Sequence, residues 1–299
     1  MKVILTGSNG QLGNSIRSII PKNINLISLS RKELDLSDKE ACEKKILEIK
    51  PDWVINSGAY TNVDDAEDNV DLSLKINRDA PKYIALGLSQ TGGKLIQIST
   101  DYVFNGRSKI PYKINDQRDP ISVYGLSKSK GEEAIENIMG ESGKFVIIRT
   151  SWLMGPFGKN FLKTILNLHQ NRTSINVVCD QIGCPTNSLS LANLCWKIVK
   201  EFSFSNKNIK LPQILHWSDN GITSWDEVAK FVGDYSFENF YINQKAKIVP
   251  ILANELNAKA KRPIYSLLDC SYTENLLGIQ QIEWRNSIAS IIRTIYSKN

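Results

Sequence analysis

Apolar positions along this chain switch between two periods: short β-branched runs, and longer stretches with apolar residues three or four apart. That pattern predicts strands alternating with helices. The first run, Lys2-Val3-Ile4-Leu5-Thr6, precedes a stretch with Leu12, Ile16, Ile19 and Ile20 on one side, a helix that Pro21 ends. Asn25-Leu26-Ile27-Ser28-Leu29 predicts the second strand, 38–49 a helix stopped at Pro51, and Trp53-Val54-Ile55-Asn56 the third strand. Helical patterns cover 66–74 and 80–89; Asn77 between them reads as a helix cap in preference to a group ordering an active-site water. The apolar run 94–98 leads into Ser99-Thr100-Asp101-Tyr102-Val103-Phe104. A helix then runs from Tyr124 to Met139, followed by a strand over 144–152. Beyond it the alternation is less regular. A loop at 155–161, a helix at 162–170 and a strand from Val177 into a polar loop ending at Thr186 come first. An amphipathic helix at 189–202, a strand Ile214-Leu215-His216-Trp217, a helix at 223–232 capped by Thr223 or Ser224, and a mixed C-terminal segment complete the pattern.

Composition changes this picture little. The 299 residues are 41% apolar and 23% charged, ordinary for a globular protein and enough for one large α/β unit plus a smaller lobe. The net charge of +6 is mild and spread along the chain, with no basic helix, zinc finger or aromatic-basic platform; no nucleic-acid partner is expected. Five cysteines (42, 179, 184, 195, 270) form no Cys-x-x-Cys pair, and His169 and His216 stand apart. Reduced thiols and no metal site are therefore expected. No apolar run approaches the roughly 18 residues of a spanning helix. Met1-Lys2 leads straight into a strand without the layout of a signal peptide, so a soluble, cytoplasmic chain without a membrane partner is expected.

Three stretches carry candidate chemistry. Gly7-Ser8-Asn9-Gly10-Gln11-Leu12-Gly13 sits between the first strand and the first helix, the context a dinucleotide-binding turn requires. Its glycines let the backbone approach a pyrophosphate at the helix N-terminus, with Asn9, Gln11 and Leu12 beside it. At the end of the second strand, where an NAD-selective site would carry Asp or Glu, Ser30-Arg31-Lys32 stand instead. A hydroxyl and two cations suit a 2′-phosphate, so NADPH is expected, with NADH possible; Asp35 and Leu36 follow, placed to meet the adenine. Ser57-Gly58-Ala59-Tyr60 ends the third strand, mostly small residues where a cofactor would pass close. The alternation with this turn predicts an α/β fold: a doubly wound parallel sheet of the Rossmann type with a smaller mixed α/β substrate-binding lobe. Residues 1–152 are expected to form the dinucleotide-binding domain, with 187–218 returning to it, and 153–186 with 219–299 the substrate lobe.

The third stretch is Tyr124-Gly125-Leu126-Ser127-Lys128, which opens a helix with Tyr and Lys one turn apart. The spacing alone is weak, since Tyr241 and Lys245 repeat it where nothing suggests chemistry. Its place after a strand ending in Ser99-Thr100 gives it meaning. A hydroxyl, a phenol and an ammonium at the mouth of a parallel sheet can protonate the oxygen of a ketone receiving hydride. A nearby ammonium is expected to lower a phenol from its usual ~10 toward working pH.

Taken in order, these pieces resemble the extended short-chain dehydrogenase/reductases and, within them, the dTDP-4-dehydrorhamnose reductases. The matching stretches include 7–13, 57–67, 99–104, 124–128, 149–152, Asn160-Phe161, 180–186 and Arg262-Pro263, and they span nearly the whole chain. The resemblance implies a reductase of a nucleotide-linked 4-keto-6-deoxyhexose, with Tyr124 as proton donor and Lys128 as its partner. It further implies that Thr100 orients the C4 carbonyl, that Asp101 and Trp152 lie against the sugar, and that Asn160, Gln181 and Arg262 contact nucleotide or diphosphate. A homodimer is possible, and some members bind magnesium at a dimer contact; no residue set here is assigned to it.

Two other readings compete. Relatives that dehydrate or epimerise keep NAD bound, and those that dehydrate carry Asp then Glu after the Thr; here Tyr102 follows Asp101, which favours a simple reductase. A non-catalytic regulatory subunit that binds a dinucleotide shares the fold, but would not need Thr100, Tyr124 and Lys128 together.

Overall fold

The computed structural model describes residues 1–204 and 211–297, so the predicted spans 187–218 and 219–299 each include a few positions outside the described residues. β1 (Lys2–Thr6), α1 (Gln11–Ser18), β2 (Asn25–Leu29), α2 (Lys39–Ile49) and β3 (Trp53–Asn56) follow one another as the alternation predicts. α3 (Val63–Asp68), α4 (Val70–Leu74) and α5 (Ala80–Thr91) lead to β4 (Lys94–Thr100), and α6 (Val123–Met139) leads to β5 (Phe145–Thr150). Then come β6 (Leu153–Met154), α7 (Phe161–Asn171), β7 (Ser174–Val178), β8 (Ile182–Gly183), β9 (Thr186–Asn187), α8 (Ser188–Phe204) and β10 (Ile214–Trp217). β11 (Thr223–Ser224), α9 (Trp225–Glu238), β12 (Lys247–Ile251), α10 (Ser271–Leu277) and α11 (Trp284–Tyr296) follow.

Six strands form one parallel sheet in the order β2-β1-β3-β4-β5-β10. A parallel sheet is covered on both faces, which is why its strands read as unbroken apolar runs. Val3, Leu5, Trp53 and Ile55 face one side, against Leu12 and Ile16 of α1 and Leu191, Cys195 and Ile198 of α8. Ile4, Val54, Leu95 and Ile147 face the other, against Ile46 of α2, Ile84 and Leu88 of α5 and Ile135 of α6. The chain leaves β1 for β2 on one flank and then crosses back to β3 on the other. The C-terminal ends of β1 and β3 therefore flank a topological switch point, where a doubly wound sheet opens a crevice for ligand.

A third core joins α7, α9 and α11 through Leu162, Ile165, Val228, Val232, Ile288 and Ile292. Short pairs accompany it: β7 with β12, β8 with β11, β6 with β9. Their two- and five-residue lengths mark them as braces between loops rather than a second large sheet.

Two local expectations are corrected. The helical stretch 66–74 is two helices, α3 starting at Val63 because Asn62 accepts a hydrogen bond from the Asp65 N–H (3.5 Å). Asn77, expected as a cap, caps nothing: Lys75–Asp79 is a turn of π-helix that continues into α5. A π-turn carries one extra residue, and the Asn77 side chain on it is buried between the loop after β3 and α6. Its Oδ1 accepts from the Tyr60 N–H (2.9 Å), and its Nδ2 donates to Tyr60 O (3.0 Å) and Ser127 Oγ (3.0 Å). Asn77 thus ties the small-residue loop after β3 to α6. α6 is pressed against the turn there, since a Cβ on Gly131 would collide with Asn77 O.

Candidate active site

The Gly-rich turn after β1 is built for close approach. Gly7 has φ 62, and a Cβ on it would stand 2.6 Å from the Gly58 backbone, so the turn and the loop after β3 touch. A side chain at Gly13 would strike Gly7 O and Ser8, so the helix can start only where it does. Thr6 O accepts from Ser57 Oγ (2.7 Å), holding the two loops together. A turn of bare backbone packed this tightly at the start of α1 suits a dinucleotide diphosphate.

A cavity of 730 Å³ opens at the C-terminal edge of the sheet. Of the residues proposed from sequence, Gly7, Asn9, Gly10, Gln11, Leu12, Arg31, Ser57, Gly58 and Ala59 line one end. Thr100, Asp101, Tyr124, Lys128 and Trp152 line the other. The rest do not line it. Gly13 packs under the turn, Leu36 presses on Gly58, and Ser30 pairs with Glu33. Asp35 accepts from the Ser37 N–H (2.9 Å) and hydroxyl (2.8 Å), and the Tyr60 hydroxyl donates to Asp65. Asn160 caps α7 through the Lys163 N–H (3.0 Å) and donates to Gln11 Oε1 (2.8 Å), pinning the loop before α7 to the Gly-rich turn. Arg262 pairs with Asp64 on α3, and Gln181 is buried between β7 and β8.

The cavity is also lined by residues outside the sequence-predicted set, Tyr102, Lys159, Ser99 and Trp225 among them. Tyr102 sets its ring edge-on to Tyr124 (5.4 Å). Lys159 brings a cation from the loop before α7, legible only as a charge beside Gly158 and Asn160. Ser99 lines the cavity and donates to Glu132. Trp225 stacks on Trp152, and no local pattern announces it, because the pairing is made only when α9 meets the end of β5.

The catalytic candidates sit where strand and helix ends meet. Ser122 caps α6 by accepting from the Gly125 N–H (3.2 Å), and the Val123 N–H donates to Glu67 (2.9 Å). Gly125 lets this first turn press on Tyr102 O. Tyr124 and Lys128, one turn apart, therefore both face the cavity. Thr100 donates to Asp101 Oδ1 (2.9 Å) and accepts from the Tyr102 N–H (3.2 Å). Burial pushes the Asp101 carboxyl up to about 6, against the pull of the Ser266 and Thr100 hydrogen bonds.

The phenol is not lowered as expected. Burial pushes Tyr124 up to about 12, with Asp101 adding to the rise and Thr100 opposing it. Lys128 is buried too: desolvation draws its ammonium down to about 8, with Glu132 opposing. Its Nζ donates to Ile98 O (2.6 Å) rather than to the phenol. Desolvation sets the direction, and the phenol stays protonated at neutral pH, the form a proton donor needs. Behind Lys128 lies a buried ion network. Burial alone would raise the Glu132 carboxyl, but Arg149 (2.7 Å), Ser99 and Arg118 hold it below its usual range.

A doubly wound sheet, a Gly-rich turn at its switch point, and Tyr and Lys one helical turn apart define a Rossmann oxidoreductase of the extended short-chain dehydrogenase/reductase type. The chain matches the RmlD substrate binding domain over residues 1–297. It is 32% identical to a dTDP-4-dehydrorhamnose reductase of Sinorhizobium fredii over 98% of this chain and 97% of that one. It is 35% identical to the Bacillus subtilis spore coat polysaccharide biosynthesis protein SpsK, over 98% and 97% of the two chains. A crystal structure of Bacillus anthracis dTDP-4-dehydrorhamnose reductase in complex with NADP superposes with a TM-score of 0.87 at 34% identity, covering 98% of this chain and 99% of that one. The chain belongs to the RmlD substrate-binding domain family, a family of NAD(P)-dependent nucleotide-sugar reductases. Among the described residues no helix is long and apolar enough to cross a membrane.

Proposed function

We propose that this protein reduces the C4 ketone of dTDP-4-dehydro-L-rhamnose with NADPH, giving dTDP-L-rhamnose. The observation that carries the reading is the convergence of Thr100, Tyr124 and Lys128 at the end of β4, in one cavity with the Gly-rich turn. Bound at that turn, a reduced nicotinamide would supply the hydride. Tyr124 holds the proton for the developing alkoxide oxygen, and the Thr100 hydroxyl orients the carbonyl. Lys128 would hold the cofactor ribose and return a proton to the phenolate. Trp152 and Asp101 would border the sugar. Gln181 and Arg262 stand outside the cavity walls, so a nucleotide contact from either requires a longer ligand than the cavity alone encloses. We assign 1–152 with 187–218 to the cofactor domain and 153–186 with 219–299 to the substrate lobe.

The test is substrate-dependent loss of NADPH absorbance with dTDP-4-dehydro-L-rhamnose generated in place. Rapid loss supports the reading. No loss, with NADPH still bound, moves the assignment to another nucleotide-linked 4-keto-hexose, a reading that the kinship with SpsK keeps in view.

Arg31 lines the cavity with its side chain largely exposed and only loosely paired to Asp35 (3.5 Å). It is the proposed 2′-phosphate ligand. Arg31→Ala is expected to weaken NADPH roughly 10-fold or more while leaving NADH nearly unchanged, because a charge-assisted bond to phosphate is lost. Equal effects on both cofactors would remove that role.

A further inference from the structure

We propose that Trp225 is a specificity-determining residue: stacked behind Trp152, it completes an aromatic wall that receives the hydrogen-bearing face of the sugar. This rests on the nucleotide-sugar reading above. The two indoles lie 3.8 Å apart and 15° from parallel, and both line the same cavity as Tyr124 and Thr100. Phe161 braces Trp225 edge-on at 4.5 Å.

The pair is assembled from two parts of the chain. Trp152 follows β5 and has φ 45, a left-handed backbone that a bulky residue adopts only when its surroundings fix it. Gly183 supplies part of that fixing, since a Cβ there would stand 2.7 Å from the Trp152 ring. Gly183 lies opposite Thr223 in the β8–β11 pair, and Trp225 begins α9 two residues later. One short ladder therefore sets both the room for the Trp152 indole and the ring that stacks on it.

Such a stack in a core would be fully buried, yet both indoles remain partly open. Thr100 and Asp101, at the end of β4, bring polar groups to the same cavity from another part of the chain. A pyranose has matching chemistry: hydroxyls for the polar side and a C–H face for the aromatic one. Aromatic walls with a few placed polar groups are how compact sites fix orientation.

The experiment compares Trp225→Ala and Trp225→Phe with the wild type. It reads KM and kcat with the keto-sugar, calorimetric Kd for dTDP-L-rhamnose and for NADPH, and the far-ultraviolet circular dichroism couplet of stacked indoles. Trp225→Ala is expected to raise KM and the dTDP-L-rhamnose Kd about 3- to 10-fold, the worth of one aromatic contact. Its kcat should fall by less, its NADPH Kd should hold, and the couplet should vanish. Trp225→Phe should lose the couplet yet recover most of the sugar affinity. Loss of the couplet with unchanged KM and Kd overturns the inference alone. So does equal weakening of NADPH, which marks a residue that only holds the fold. A wild type that neither oxidises NADPH with the keto-sugar nor binds dTDP-L-rhamnose overturns the proposed function together with this inference.

Discussion

Tyr124→Phe removes one oxygen atom and is expected to lower turnover by about 10²- to 10⁴-fold, the usual range for a positioned proton donor. The variant should fold normally. Tyr124 sits in the first turn of α6, where its ring meets Tyr102 edge-on, a contact that Phe preserves. The phenol, pushed up to about 12, is neutral at pH 7, so no charge is lost from the buried site. Cofactor affinity should be unchanged, because the walls nearest the Gly-rich turn are untouched. The check is single-turnover NADPH oxidation beside a fluorescence titration of NADPH. Near-wild-type turnover would mean that another group delivers the proton.

Lys128→Met should separate activity from stability, raising one as it destroys the other. Lys128 is almost wholly buried and desolvation draws its ammonium from 10.5 to about 8. A depressed value means that the group costs nothing above about 10.5, where it is neutral in both states, and that the cost builds as pH falls from there to about 8, below which it is complete. At pH 7 the protein therefore carries the full cost of an ammonium held out of water, about 3 kcal/mol. Met fills similar volume without the charge, and Ile98 O keeps a donor in Gln97 Nε2 (2.8 Å). The variant should resist urea by roughly 2 kcal/mol more than wild type at pH 7, with the gap closing toward pH 10. Reductase activity should be lost. A gap that stays constant with pH would show that packing, not the charge, sets the difference.

Elements whose signal is local were readable from the sequence. β2, β3 and β10 end where their apolar runs end, β3 as a central strand buried by helices and β2 and β10 as the two edge strands of the sheet. Ser224 was readable as a cap because Glu227, three residues on, accepts from its N–H (3.2 Å). The two-residue strands β6, β8, β9 and β11 were not readable, since their pairing partners lie in distant segments. Asn77 was misread for a related reason. An Asn between two helical patterns resembles a cap, and only the folded chain brings Tyr60 and Ser127 to its side chain. At the site, Gly7, Thr100, Tyr124 and Lys128 stand at predictable strand and helix ends. Trp225 became visible only as the partner of Trp152.

The π-turn at Lys75–Asp79 bears on which length changes the chain can accept. Removing one of its five residues would press the stretch from Val70 to Thr91 toward ordinary α-helix, with Pro81 left inside it without an N–H to donate. The π-turn absorbs that residue locally, so the part after the deletion would keep its place while side chains within the turn shift by about 100° around the helix. Asn77 would swing away from Tyr60, and the Gly131 groove on α6 would face a different side chain. The segment would keep its place and lose that tie, so descendants of this sequence should gain or lose residues in the surface loops while the length between β3 and β4 stays fixed.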